Sequence, residues 1–203
     1  MILRKIYEIG KTHIVDSTAA LVSTNPIFAV FENAVWGMSD QVSLKARLFA
    51  TGITYAGVGS LLSRGRDFSR KVFKIKDTTT EKIQTFHDAA YLIGFNAILA
   101  PIMYSTAGAN TQEIIEGTLT AMALSIINGP LIGYAIDAGR DLTGIKKSER
   151  MPKLVSNFSS RHKKNLALIL IAGLIALNGT IYKITPDKQE DPQKSNIEER
   201  VLE

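Results

Sequence analysis

The stretch that decides the fold is residues 89–112, AAYLIGFNAILAPIMYSTAGANTQ, in which 24 consecutive positions include no Asp, Glu, Lys or Arg. An apolar helix needs about 20 residues to cross roughly 30 Å of hydrocarbon, so this window is long enough to span a membrane. Three other windows of 16 to 20 residues are equally free of charge: 48–63, 117–136 and 165–182. A further window, 17–39, carries only Glu32. The sequence therefore predicts an all-α, polytopic helical membrane protein with five transmembrane helices, although its mean hydropathy is only +0.07.

Composition excludes several other classes of protein. The 203 residues include no cysteine, which rules out disulfide frameworks, thiolate metal sites and cysteine nucleophiles. The net charge is +5, but the Lys and Arg residues lie between the apolar windows and form no continuous stripe, so we expect no nucleic-acid partner. The sequence also lacks the GxSxG, HExxH and GxxxxGK motifs. We therefore expect neither an enzyme nor a protein with a metal or cofactor.

The apolar windows divide the chain into five segments. We expect spans at 14–36, 44–63, 86–104, 114–138 and 165–182. The full division is an amphipathic cytoplasmic segment at 1–13, a four-helix core at 14–142, a basic cytoplasmic loop at 143–164, a fifth transmembrane helix at 165–182 and a disordered polar tail at 183–203.

The loops predict the orientation of the chain in the membrane. Three basic residues precede the first span, seven lie in residues 64–82 and eight lie in residues 140–164. The turn after the third span has none, and the C-terminal tail has more acids than bases. Five spans place every basic segment on one side, which the positive-inside rule assigns to the cytoplasm. We expect an inner-membrane protein with a cytoplasmic N-terminus and an external C-terminus.

The four-helix core contains an internal repeat. The motif GxxxxxGRD occurs at 59–67 and again at 133–141, and Asp16 and Asp88 lie 72 positions apart in the spans that precede the two copies. We interpret this as two duplicated helical hairpins, at about 14–70 and 86–142. Parallel repeats of this kind place a substrate site between the halves, near the middle of the membrane. The alternative is that helical hairpins in general end in Gly and Arg for capping and anchoring.

Two acidic residues of the first span are candidates for proton coupling. An ionisable group inside a span costs about 2.5 to 3.5 kcal/mol on insertion scales and is usually retained for function. Asp16 and Glu32 are 16 residues apart, which is roughly 24 Å of axial rise, so they cannot share one proton. The alternative is that both contact lipid headgroups at the two interfaces.

A basic residue and three amides are candidates for substrate binding. Arg47, just inside the second span, can pair with Glu32 or receive a carboxylate, unless it extends to the outer interface. Asn25, Asn96 and Asn128 lie near the middle of their spans, where they can line a polar cavity for a small zwitterion. The alternative role for each amide is a hydrogen bond between helices.

Small residues recur at every fourth position of the fourth span, which predicts close packing against another helix, either in the same chain or in a second copy. They are Gly117, Ala121, Ser125, Gly129 and Gly133. A homo-oligomer is the expected assembly.

Four further charges are expected at the cytoplasmic helix ends, where capping and headgroup contact are common roles: Arg66, Asp88, Asp137 and Arg140.

Several of these residues fall in a known pattern. Its parts are Asp16, Glu32, GMS at 37–39, Arg47-Leu48, RD at 66–67, Asp88 and GxxxGYxxDxxR at 129–140. Over residues 12–142 the chain resembles the bacterial L-alanine exporters. The resemblance implies export of L-alanine across the inner membrane driven by the proton-motive force. It places the family's charged span-one residues at Asp16 and Glu32, and its self-association motif at Gly129 and Gly133. Family members typically end after four spans, whereas residues 143–203 add a fifth apolar window and a tail.

The sequence is therefore compatible with two main functions. The first is a proton-coupled exporter of L-alanine or a similar small neutral amino acid, with protons and the lipid bilayer as further partners. The alternative is a non-transporting membrane scaffold or oligomerising subunit, held together by the small-residue stripe.

Overall fold

The computed structural model describes residues 2–31, 40–106 and 111–184, and this part of the chain is helical. The helices are α1 (Ile2–Val30), α2 (Asp40–Ile53), a π-helical turn (Thr54–Val58), α3 (Gly59–Val72), α4 (Glu81–Thr106), α5 (Thr111–Leu142), α6 (Lys153–Ser156) and α7 (Ser160–Ile184). The predicted all-α class is confirmed. The turn after the third predicted span and the expected tail lie mostly outside the described residues.

Three helices of the described chain are long and apolar enough to cross a membrane: Glu81–Thr106, Ile114–Leu142 and Ser160–Ile184. They correspond to the third, fourth and fifth predicted spans. The first predicted span lies in α1 and continues into undescribed residues, and the second is divided between α2 and α3. The total of five spans stays a prediction.

Helix α1 is continuous from Ile2 to Val30. The predicted surface segment at 1–13 and the beginning of the first predicted span therefore form one helix. One face of α1 is buried from Asp16 onward, whereas the residues before Gly10 are exposed.

The second predicted span is interrupted by the π-helical turn at Thr54–Val58. Gly57 in this turn has φ +141°, a conformation that side chains with a Cβ rarely adopt. Helix α1 supplies partners for the carbonyl groups of the turn. His13 Nε2 donates to the Tyr55 carbonyl at 2.8 Å, and the Ser17 hydroxyl donates to the Thr54 carbonyl at 3.4 Å.

Helices α4 and α5 pack at very short range. A Cβ atom at Gly129 would lie 2.5 Å from the Cα atom of Ala89, and one at Gly133 would meet the Asp88 carboxylate. The small-residue stripe of the fourth span thus contacts α4 of the same chain. An apolar cluster then joins four helices: Ala20 of α1, Leu62 of α3, Leu92 of α4, and Ile132 and Ile136 of α5.

Helix α7 lies beside α1 and α5. Near its C-terminal end, the hydroxyl groups of Tyr182 and Ser43 of α2 are 2.9 Å apart. Most of its apolar side chains are exposed on the outside of the bundle, as expected for a helix that faces lipid.

Candidate functional site

The first part of the site is a buried ion pair between α1 and α5. Arg140 donates from Nε and Nη2 to the two carboxylate oxygens of Asp16, at 2.8 and 2.6 Å, and from Nη1 to Asp67 at 2.8 Å. Asp16 is 1% exposed and Arg140 is 6% exposed. Bidentate pairs of this kind are among the strongest polar contacts in proteins. Asp16, predicted for proton coupling or headgroup contact, is thus held by an arginine inside the bundle.

A second set of ion pairs joins α3 to α4 and α5. Arg70 donates to both oxygens of Asp88, at 3.1 and 2.6 Å. Arg66 donates to Asp137 at 2.5 Å and to the Gly133 carbonyl at 3.0 Å. Asp88 is 1% exposed, so it does not face lipid headgroups as an interfacial residue would. The four charges expected at helix ends therefore pair with acidic or basic residues of this chain.

The pairing crosses between the two sequence repeats. Asp16 of the first copy binds Arg140 of the second. The equivalent residues, Asp88 of the second copy and Arg66 of the first, lie 3.7 Å apart. We use the name ion network for seven buried or partly buried charges: Asp16, Arg66, Arg70, Asp88, Asp137, Arg140 and Arg150. Because it links the two repeats at one end of the bundle, opening that end requires these pairs to separate.

Arg150, after the end of α5, extends back into the ion network. Its guanidinium donates to Asp88 at 3.2 Å and to Asp137 at 3.1 Å, and it also binds Glu81. Tyr134 donates from its hydroxyl to the Arg150 carbonyl at 2.6 Å. Burial alone would lower the pKa of the Arg150 guanidinium, but the hydrogen bonds that it donates to Glu81 and Asp137 and the nearby negative charges raise this pKa overall. Arg150 is therefore a permanent cation in the network.

Sequence reasoning missed the role of Arg150. It was counted only among the basic residues of a loop, and a loop residue has no helical periodicity that would place it against α4. The sequence holds no signal that would have placed it there, because Arg66, Arg70 and Arg140 already match Asp16, Asp88 and Asp137 in number.

The second part of the site is a cavity of about 100 Å³ between α1, α2, α3, α4 and α5. Its walls are mostly apolar, and Asn25, Arg47 and Asn96 are among its polar lining residues. Asn96 is eight residues beyond Asp88 on α4, so its amide lies about 12 Å deeper in the bundle than Asp88 of the ion network. Three of the four predicted substrate-binding residues are thus brought together.

Arg47 lies at the α2 wall of the cavity and is 5% exposed. Its guanidinium carbon is 4.6 Å from the centroid of the Phe28 ring, which is a cation–π contact. The side chain is therefore turned into the bundle, where the alternative prediction had it extend to the interface.

The three predicted amides differ in their surroundings. Asn96 donates to the Ser125 hydroxyl at 2.8 Å, and Asn25 makes no hydrogen bond within the described residues. Asn128 is 1% exposed but does not line the cavity, and neither polar atom of its side chain has a hydrogen-bond partner in the described chain. Asn25 and Asn96 are therefore the amides available to a ligand. Glu32 lies outside the described residues.

These features define a helical, multi-pass membrane protein with a cavity between its helices and a buried ion network nearer one end of the bundle. The AlaE family model, described as L-alanine exporter, matches residues 9–146. The chain belongs to the L-alanine exporter family. Membership implies an amino-acid substrate, embedding in a membrane and a role in transport rather than catalysis. No curated protein and no solved structure matches the chain.

Proposed function

We propose that this protein exports L-alanine from the cytoplasm across the inner membrane, driven by the proton-motive force. The observation that carries the proposal is the small cavity lined by Asn25, Arg47 and Asn96, which lies wholly within the segment matched by the exporter family.

The cavity residues suit the three parts of an alanine molecule. Arg47 offers a planar, charged donor for the carboxylate, and the amide oxygens of Asn25 and Asn96 can accept hydrogen bonds from the ammonium group. Leu62, Leu92 and the rest of the apolar wall face the methyl group. A cavity of about 100 Å³ has little room for a long side chain, which favours a small amino acid.

We assign proton transfer to Glu32 and closure of the cytoplasmic end to the ion network. Asp16 was a second proton candidate, but its two oxygens are engaged by Arg140. We therefore place Asp16 in the closing contacts. In this scheme, the two repeats separate at the ion network to admit alanine from the cytoplasm. Protonation of Glu32 from the outside then favours the return of the protein to this cytoplasm-open state.

Efflux measurements test the export itself. Bacteria without alanine exporters of their own are loaded with an alanine-containing dipeptide, and external L-alanine is measured with and without this protein. We expect faster efflux that an uncoupler stops. Unchanged efflux at verified membrane expression contradicts alanine export, and efflux that persists with the uncoupler contradicts proton coupling.

Glu32→Gln tests the proton site in the same assay. Glutamine keeps the shape of the side chain but cannot carry a proton, so we expect loss of export with normal membrane insertion. Glu116→Gln is the matched control, because Glu116 is an exposed carboxylate of α5 that does not line the cavity. Equal export by the two variants would exclude Glu32 from proton transfer.

Arg47→Lys tests the substrate contact. Lysine keeps the charge but not the two-pronged donor geometry, and we expect export to fall by about tenfold, mainly through weaker substrate binding. Lys45→Gln is the control, since Lys45 is exposed on the same helix. Normal export by Arg47→Lys would rule out bidentate recognition of the carboxylate.

The scaffold alternative rests on the small-residue stripe. Gly129 and Gly133 already contact α4 of the same chain, so they do not require a second copy to explain them. Homo-oligomerisation stays a prediction. A scaffold would support a complex without any alanine efflux, and the efflux assay separates the two functions.

A further inference from the structure

A groove unrelated to the central cavity lies on the side of the bundle, between α1, α5 and α7. Its volume is about 260 Å³, and its walls are almost entirely apolar, with Val15, Ala138, Ala167 and Ile171 among the residues that form them. We call it the lateral groove. Its α5 wall runs from Ala135 to Leu142, which is about 10 Å along the helix axis. That length covers most of one leaflet of a hydrocarbon core roughly 30 Å thick.

A polar pocket adjoins the lateral groove at the end of α5. Its volume is about 420 Å³, and it shares Leu142 and Thr143 with the groove. Its walls contain four lysines: Lys146, Lys147, Lys163 and Lys164. We call it the basic pocket. The two spaces together form one site with a cationic mouth and an apolar interior.

The basic pocket keeps positive charge that its own acids do not neutralise. Lys163 binds Asp141 at 2.5 Å, and Lys146 binds Asp77 at 2.8 Å. Lys147 and Lys164 form no salt bridge within the described residues. Asp141, the one carboxylate in the wall, also accepts a hydrogen bond from the Ser148 backbone N–H at 2.8 Å. Two lysines therefore remain available for an anion.

The beginning of α7 adds to the positive potential. This 25-residue helix starts at Ser160, which lines the basic pocket, so its positive dipole end points toward the same space. Helices α5 and α7 are both long and apolar enough to span a membrane, which places their shared basic end at the depth of lipid headgroups.

We propose that this site binds an anionic phospholipid, with the phosphate in the basic pocket and one acyl chain in the lateral groove. Basic pockets between transmembrane helices recognise anionic headgroups in this way. A free phosphate would use only the pocket and would leave the apolar groove without a role. The α7 wall of both spaces and three of the four pocket lysines lie beyond position 146, so the site requires residues that the family match does not cover.

Lipid binding is measured on the full chain in detergent by native mass spectrometry, with phosphatidylglycerol and phosphatidylcholine of identical acyl chains as probes. We expect selective retention of phosphatidylglycerol. The Lys147→Gln/Lys164→Gln variant should bind it roughly tenfold more weakly. Lys71→Gln/Lys82→Gln, which removes two exposed lysines elsewhere, should bind it normally. Equal retention of both lipids, or equal loss in both variants, would overturn the proposal.

The acyl-chain part of the site has its own test. Ala167→Leu fills the lateral groove and should weaken retention of phosphatidylglycerol, whereas Ala172→Leu, at an exposed position of α7, should not. Glycerol 3-phosphate carries the phosphate without the acyl chains and should not compete at equal concentration. Effective competition by glycerol 3-phosphate, or normal retention by Ala167→Leu, would show a phosphate site and contradict lipid binding. None of these measurements depends on alanine transport.

Discussion

Asp16 and Arg140 are buried together, and Arg140 compensates the charge of Asp16 while also binding the partly exposed Asp67. Removing one partner of a buried pair costs about 3 to 5 kcal/mol, whereas removing both leaves neutral side chains at the buried contact, and only Asp67, 37% exposed, then loses an ion pair. We expect Asp16→Asn and Arg140→Gln each to lower the free energy of unfolding by about 3 kcal/mol. The double variant should lose much less than the sum of the two. Thermal unfolding in detergent measures all three.

An exposed pair provides the control for this cycle. Asp77 and Lys146 are joined at 2.8 Å but have side chains 44% and 56% exposed. Water screens such pairs, so we expect a coupling energy below about 1 kcal/mol from Asp77→Asn and Lys146→Gln. Strictly additive losses at Asp16 and Arg140 would mean that their pairing does not stabilise the fold.

At the residue scale, the sequence predicted which charged side chains are unusual for a transmembrane span, but not which side chains contact one another. Asp16 and Arg47 were identified because charge inside or beside an apolar window needs a reason. The partner of Asp16 is 124 positions away in the sequence, and hydropathy carries no information about such pairs. The sequence also did not show that Asn128 lies away from the cavity, because the depth of an amide in a span does not determine which side of the helix faces a cavity.

At the scale of secondary-structure elements, the π-helical turn between α2 and α3 depends on Gly57. A Cβ there has open space around it, so the obstacle to substitution is the backbone angle and not a clash. We expect Gly57→Ala to lower the free energy of unfolding by about 1 to 3 kcal/mol. Because Thr54 and Val58 of the same turn line the central cavity, export should fall too.

Gly52→Ala is the matched comparison for Gly57. Gly52 lies in regular α2 and also has open space, so alanine should leave stability unchanged or raise it by about 0.5 to 1 kcal/mol. Thermal unfolding and alanine efflux measure both effects. If the two variants behave alike, the φ angle of Gly57 does not constrain the fold.

The contact between α4 and α5 gives a second prediction for these elements. Alanine at Gly129 would place its Cβ against the backbone of Ala89, which cannot move aside without separating the helices. We expect Gly129→Ala to reduce the amount of folded protein in the membrane, and Gly94→Ala, at an open position of α4, to leave it normal. Size-exclusion chromatography of the extracted protein measures both. Normal folding of Gly129→Ala would show that the two helices can move apart at little cost.

Charge-free windows predicted the elements that are continuous and apolar, which are α4, α5 and α7. They did not predict the division of the second span. A window counts side chains, whereas the π-helical turn depends on backbone carbonyls and on His13 and Ser17 of α1, which reach them from another helix. No helix end marks the boundary expected at residue 13, since basic residues can continue an α-helix as readily as they can end a span.

At the scale of the whole molecule, the ion network joins α1, α3, α4 and α5 at one end of the bundle, and the family match ends at residue 146. Arg150 therefore brings a cation from outside the matched segment into the centre of the network, where its side chain is 4% exposed. It contacts Asp88 of α4 and Asp137 of α5 at once. The segment after α5 thus connects α4 and α5, the two helices of the second repeat.

This connection predicts that Arg150 stabilises the state closed to the cytoplasm. Without its guanidinium, Asp88 and Asp137 keep their other arginines but repel each other more strongly, so the end of the bundle should open more often. The chain has no cysteine, which makes a single introduced cysteine a specific reporter. Ala20→Cys places it in the cavity wall on α1, four residues beyond Asp16.

We expect a membrane-impermeant maleimide, added to inverted membrane vesicles, to label Ala20→Cys slowly. Adding Arg150→Gln should speed labelling by about tenfold, which corresponds to roughly 1.4 kcal/mol in the opening equilibrium. Arg64→Gln is the control, because Arg64 is an exposed arginine of α3, two residues before Arg66, that forms no salt bridge in the described chain. Labelling rates are compared at equal amounts of folded protein. Equal rates with Arg150→Gln and Arg64→Gln would mean that Arg150 does not stabilise the closed state, and that the Arg140–Asp16 and Arg66–Asp88 pairs are sufficient for closure.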